Sequence, residues 1–409
     1  MSAQPGRPAA WLLTGSRTAI GSFKKSLRDV PVEKLAETAM RSALGKAALP
    51  AEQYDGVMLG HGYQSSLAPN TARCAALAAG IPASVPAMTV QRQCGSGMEA
   101  VYVAMNEIFL GNGELYLAGG ADSMSGVPYL LPANLRYRGP IADSGKFPFG
   151  PRPVVCALAD DGLVPRALLW DVKTTHMGYT AQRLADGYEI SRKDADAYAL
   201  RSHELAAKAT ASGRFKLEIA AVDLPGRGLF LVDEHPRAST SLEKLASLRP
   251  SLRTRDITAG NSSGINDGGC ALVVVSGGKL AQLGATPLAQ LVDSCVVGLD
   301  PEQMGLGPVL AINKLLQRNG LQVGDIDLFE LNEAFAAQYL ACEKLLGLDR
   351  EKVNVNGGAI ALGHPIGMSG ARLLLTLALE LQARGLRRGI ASLCIGGGMG
   401  IATLLEVHK

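Results

Sequence analysis

The chain has 409 residues, 47% of them hydrophobic, and a formal net charge of +3. This composition is ordinary for a globular protein long enough for two or three domains, and it carries no bias toward disorder. The small charge, with no run of five Lys or Arg residues, argues against nucleic acid as a partner, and no apolar span reaches the ~18 residues of a membrane helix. Seven cysteines without CxxC spacing suggest neither a disulfide framework nor a zinc site, and reduced thiols fit a cytoplasmic location. Residues 1–10 lack the basic and apolar regions of a secretory signal, and the final Val407-His408-Lys409 is no organelle address, so neither is expected.

Short apolar runs alternate with helix-like segments along the chain, which predicts α/β layering. A strand at 56–59 leads into Gly60-His61. The segment Thr89-Val90-Gln91-Arg92-Gln93-Cys94-Gly95-Ser96-Gly97 reads as a strand, a glycine turn and a helix start, with a thiol at the helix N-terminus. Free N–H groups and the helix dipole there are expected to lower its pKa, as for a covalent nucleophile; a small buried hydrophobe is the alternative. A strand at 115–118 follows. Residues 126–258 differ, with Pro/Gly/Arg-rich stretches at 137–153 and an Ala-rich helix at 191–212 capped by Ser191; they read as an insertion over one face. Further strands are expected at 271–275, 327–331 and 390–395.

A weak internal repeat is visible. The separation of His61 from Cys94 nearly equals that of Asn332 from His364, and each second residue heads a helix. If the halves share one topology, a pseudo-twofold axis brings Cys94 and His364 together.

Three later segments carry chemistry. Gly363-His364-Pro365-Ile366-Gly367 sets an imidazole in a glycine-dense turn, which suits close backbone approach to a ligand. Cys394-Ile395-Gly396-Gly397-Gly398 ends a strand with unblocked N–H donors suited to an oxyanion. Asn332-Glu333-Ala334-Phe335 offers an amide to orient a water or substrate and a carboxylate as base or supporting partner. Two thiols, one imidazole and glycine N–H groups suit acyl transfer in which one thiol attacks and the other moves a proton. No pair has metal-ligand spacing.

With Cys94-Gly95-Ser96-Gly97, Asn332-Glu333-Ala334-Phe335, Gly363-His364-Pro365 and Cys394-Ile395-Gly396-Gly397-Gly398 in this order, the chain resembles the thiolase family over nearly its full length. The segments His176-Met177-Gly178 and Thr258-Ala259-Gly260-Asn261-Ser262-Ser263-Gly264-Ile265-Asn266-Asp267-Gly268 add to the likeness. The resemblance implies a thiolase fold: duplicated βαβαβαββ halves in a five-layered αβαβα core, with an inserted loop domain. It divides the chain into a half at 1–285, holding the insertion at 126–258, and a half at 286–409. It also implies a homotetramer built as a dimer of dimers.

By the same resemblance Cys94 is acylated by an acyl-CoA while His364 accepts its proton. Cys394 abstracts the α-proton of a second acetyl-CoA. The N–H groups of Cys94 and Gly396 form one oxyanion hole, and His364 with a water held by Asn332 forms the other. His176, Met177, Arg237, Ala259, Ser263, Met304 and Phe335 match positions that contact acyl-CoA. The implied partners are acetyl-CoA, acetoacetyl-CoA and CoA, with no metal or redox cofactor. Gly95 with Ser96 resembles the biosynthetic, acetoacetyl-CoA-forming members. The alternative is a medium- or long-chain, or broad-specificity, 3-ketoacyl-CoA thiolase of β-oxidation. A lipid-binding or scaffold relative is disfavoured because all four blocks are intact. Residues 136–170, Leu252 and Lys244 depart from the family pattern, which bears on chain length and CoA affinity.

Overall fold

The computed structural model describes residues 8–130, 155–156, 176–251 and 254–408. The main sheet is built from β1 (Ala10–Thr18), β2 (Gly56–Gly60), β3 (Ala87–Val90), β4 (Leu115–Ser123), β5 (Asn266–Ser276), β6 (Ala289–Gly298), β7 (Leu328–Leu331), β8 (Arg388–Ile395) and β9 (Met399–Glu406). Its order is β7-β8-β9-β6-β1-β5-β4-β2-β3. Read outward from the antiparallel β1–β6 junction, where Trp11 lies opposite Gln290, the two directions repeat each other. One side runs β1, β5, β4, β2, β3, with antiparallel, antiparallel, parallel and parallel steps. The other runs β6, β9, β8, β7 with the same first three steps, and a parallel bridge from Phe329 to Val353 takes the place of β3.

The helices obey the same symmetry. In the first half α1 (Val32–Ala47), α2 (Thr71–Ala78) and α3 (Ser96–Leu110) follow β1, β2 and β3. After α4 (Met177–Gly187) and α5 (Arg192–Ala211) of the insertion, α6 (Gly307–Asn319), α7 (Ala336–Leu346) and α8 (Ile366–Arg384) repeat that pattern in the second half. Each half is therefore βαβαβαββ, with the bridge at Val353 as the third strand of the second half, as the resemblance implies.

Burial explains the layering. α3 and α8 are apolar nearly all round, with Met98, Val101 and Met105 on one and Met368, Leu373 and Leu377 on the other fully buried. A helix of that kind has no solvent face and belongs between sheets. α1 and α2 cover the outer side of the first half, α6 and α7 that of the second, giving five αβαβα layers. The central helices cross closely because Gly97 and Gly370 lack side chains: a Cβ on Gly97 would strike the Gly367 carbonyl, and one on Gly370 the Met98 amide. Ser191 caps α5 as expected and forms a capping box with Asp194. Among the described residues no helix is long and apolar enough to cross a membrane.

Candidate active site

The pseudo-twofold axis sets the heads of α3 and α8 side by side. Cys94 lies in the turn between β3 and α3. Gly95 N–H donates to the Arg92 carbonyl at 2.9 Å, Ser96 N–H to the Gln93 carbonyl at 3.0 Å, and Ser96 Oγ to that same carbonyl at 2.6 Å. Gln93 takes a left-handed φ of +44°, a conformation that costs a non-glycine residue about 1–3 kcal/mol. Strain of this size beside a nucleophile is held by the surrounding turn.

The Cys94 side chain is buried with Met124 and Ile366, and Phe23, Tyr63, Val127 and Ile265 pack around them. The Gly396 N–H points at its sulfur. Here the structure corrects the sequence reading. Burial pushes the thiol up to about 11, and the N–H groups of Gly396 and Cys94 only partly offset it. Desolvation outweighs the helix terminus. Alkylation of Cys94 by iodoacetamide is therefore expected to keep accelerating beyond about pH 9 rather than level off near neutrality. Peptide mapping is the readout, because Cys74 is exposed and reacts separately. A plateau below about pH 8 would show that the thiolate is stabilised after all.

Cys394 occupies the last turnward positions of β8, in the hairpin closed by Gly396–Gly398, where Gly397 and Gly398 have φ of +89° and +82°. It is fully buried, and burial first, then the nearby Cys94 and Cys342, raise its thiol well above the ordinary range. The two thiols thus sit within electrostatic reach of each other, both protonated at neutral pH.

His364 stands two residues before Ile366, the residue that packs on Cys94. Its backbone N–H donates to Asn266 Oδ1 at 2.9 Å. Its Nδ1 meets Ser369 Oγ at 2.6 Å, and Ser369 Oγ donates to the Pro365 carbonyl at 2.8 Å. A hydroxyl has one proton to give, so Nδ1 carries the hydrogen and Nε2 keeps its lone pair. Burial, then Arg372, lowers the imidazole to about 3, which keeps it neutral. Asn332 follows β7, donates from Nδ2 to His364 Nε2 at 3.3 Å, and leaves Oδ1 buried without a partner among the described residues. That oxygen is an acceptor available to a bound water or substrate.

Glu333 is not a base. It accepts from Tyr198 Oη at 2.7 Å, Ser202 Oγ at 2.7 Å, Asn354 Nδ2 at 2.9 Å and Ile360 N–H at 3.1 Å. Those bonds clamp the helical turn Ala359–Leu362 that leads into His364. Asp122 does the corresponding work across the axis. Buried at the end of β4, it accepts from the N–H of Gly62 at 3.0 Å, of Tyr63 at 3.1 Å and of Gly367 in the first turn of α8, and faces His61 at 3.4 Å.

The acyl-CoA candidates divide between two places. Arg237 and Ala259 line an open cleft of about 620 Å³ with His203, His235, Lys244 and Leu248. Ser263 is half-buried beyond that lining, its N–H donating to the Ala334 carbonyl at 2.9 Å. Met177, Met304 and Phe335 share the core cluster that holds Cys394, not the one around Cys94. His176 caps α4, accepting from Gly178 N–H at 3.0 Å, and its buried Nε2 has no partner among the described residues. Leu252 and residues 136–170, apart from 155–156, lie outside the described residues. Sequence reasoning missed the side chains lining Cys94, and also Asn266, Ser369 and Asp122. Asn266 stands in a polar stretch noted only for its family likeness, and nothing local reveals that it holds His364.

Acyl transfer through a thiol asks for a sulfur shielded from water, N–H donors where an oxyanion forms, and acid–base groups that are neutral at rest. The meeting of the two helix heads supplies each, which defines the class as an acyltransferase. The thiolase N-terminal domain pattern matches residues 11–278 and the thiolase C-terminal domain pattern residues 285–407. The chain belongs to the thiolase family. It is 44% identical over 399 residues to an acetyl-CoA acetyltransferase of Escherichia coli K12, covering 97% of this chain and 98% of that protein. The crystal structure of the Bacillus anthracis acetyl-CoA acetyltransferase superposes with a TM-score of 0.92 at 42% identity, covering 98% of this chain and all of the other. That of human mitochondrial 3-ketoacyl-CoA thiolase in complex with CoA gives a TM-score of 0.90 at 38% identity, covering 98% of each chain.

Proposed function

We propose that the enzyme catalyses the reversible Claisen condensation of two acetyl-CoA to acetoacetyl-CoA and CoA through an acyl-Cys94 intermediate. The observation that carries this reading is the buried pair Cys94 and Cys394, with Cys94 raising the Cys394 thiol and the Gly396 N–H on the Cys94 sulfur. Cys94 gives its proton to Nε2 of His364, in place of the Asn332 amide, as its sulfur attacks the thioester carbon. The oxygen of that carbon gains charge and takes the N–H groups of Cys94 and Gly396. CoA leaves as a thiolate and takes a proton from Cys394. This leaves Cys394 the base that removes the α-proton of the second acetyl-CoA. The enolate oxygen is met by His364 and a water on Asn332, and its carbon attacks acetyl-Cys94. The Cys94 sulfur departs and regains its proton from His364.

Arg237, Lys244 and Ala259, with His203, would take the CoA moiety in the open cleft. The reaction needs no metal or redox cofactor beyond the CoA thioesters. We infer a homotetramer in the cytoplasm; the outer edge of β3, which pairs with no strand among the described residues, and Met88, 45% exposed, support association through that strand.

The relatives named acetyl-CoA acetyltransferase favour the short-chain reading over the 3-ketoacyl-CoA one. Thiolysis of acetoacetyl-CoA beside 3-ketooctanoyl-CoA decides between them. A kcat/KM for acetoacetyl-CoA at least about tenfold higher is expected, from the likeness to the acetyl-CoA acetyltransferases. Equal or faster turnover of the longer substrate would transfer the enzyme to the degradative class.

A further inference from the structure

Building on the acyl-Cys94 reading above, we propose that Tyr63 is a specificity-determining residue whose hydroxyl donates to a neutral oxygen, a hydroxyl or ketone, carried on the acyl chain beyond the thioester. With the thioester carbonyl held by the N–H groups of Cys94 and Gly396, the rest of the acyl group extends among the side chains packed on Cys94. Those are Phe23, Met124, Val127, Ile265, Ile366 and Tyr63. Five of the six offer nothing but hydrocarbon or a thioether. Among the described residues of this cluster Tyr63 alone brings a strong donor, and its Oη is buried with no hydrogen-bond partner among them.

A buried hydroxyl without a partner is unfavourable, so its retention beside a nucleophile asks for an acceptor that arrives with the substrate. The residue is also held in place: its N–H donates to Asp122 Oδ1 at 3.1 Å, the carboxylate that fixes the first turn of α8. Burial, with Asp122 and Cys94 adding to it, raises the phenol far above its ordinary range, so it stays a donor at every working pH. Tyr63 and Val127 also line an open cavity of about 310 Å³ with Arg28, Asp29, Glu33, His61 and Ser123.

The test compares kcat/KM for thiolysis of a six-carbon 3-ketoacyl-CoA with that of its two analogues hydroxylated on either of the last two carbons, in the wild type and in Tyr63→Phe. The wild type is expected to prefer one hydroxylated analogue by about tenfold or more, and the variant to bring that ratio to about one. The ratio is the readout because a merely structural tyrosine would move all three substrates together. Absence of the preference in the wild type, or its survival in Tyr63→Phe, overturns the inference while acetoacetyl-CoA thiolysis continues. Loss of acetoacetyl-CoA thiolysis in the wild type itself would overturn the parent reading and this one with it.

Discussion

Replacing Cys94 by Ser is expected to lower thiolysis of acetoacetyl-CoA by at least about 10⁴-fold, the scale on which removal of a covalent nucleophile is felt. The reason lies in the pairing of nucleophile and base. His364 is held at about 3 by burial and Arg372, so it is a weak base at rest. It takes the proton of a thiol only as the sulfur bonds to carbon. A serine hydroxyl is a far weaker acid, and the same imidazole has no driving force to deprotonate it. The change is nearly isosteric and leaves the Gly396 N–H an oxygen to meet, so the fold is expected to survive, with unfolding free energy altered by less than about 1.5 kcal/mol. Steady-state thiolysis and a denaturant melt on the same preparation check both statements. A variant that retains a tenth of its activity would remove Cys94 from the covalent role.

Cys394→Ala separates the two half-reactions. Acetyl-CoA is expected still to acetylate Cys94, because a CoA thiolate leaves unaided near neutral pH. Condensation and acetoacetyl-CoA thiolysis both pass through the enolate, and both are expected to fall about 10²–10⁴-fold without the thiol that exchanges its proton. The burst of CoA released from acetyl-CoA, measured beside steady-state condensation, distinguishes the steps. Equal loss of both would make Cys394 part of the acylation machinery instead.

Much of this was legible in the residue order, and the reason is local. The turns at Cys94, His364 and Cys394 each announce themselves by glycines between a strand and a helix or strand, and the near-equal spacing of the two halves anticipates the palindromic sheet. What was hidden is long-range. The wall around Cys94 gathers Phe23, Tyr63, Met124, Val127, Ile265 and Ile366 from separated segments, and Met177, Met304 and Phe335 go instead to the side of Cys394. Asn266 reaches His364 across 98 residues and Asp122 reaches Gly367 across 245, links that no periodicity encodes. The thiol was misjudged for a related reason. A helix N-terminus is visible in sequence, whereas the burial that overrides it exists only once the halves close.

The most direct test of the acyl-enzyme account is rapid acid quenching of the wild-type protein with acetoacetyl-CoA in the absence of added CoA, followed by peptide mass mapping. One acetyl group on the peptide that carries Cys94, and none on that of Cys394, is the expected result. Acetyl on Cys394, or turnover with no acetyl on either peptide, would contradict it.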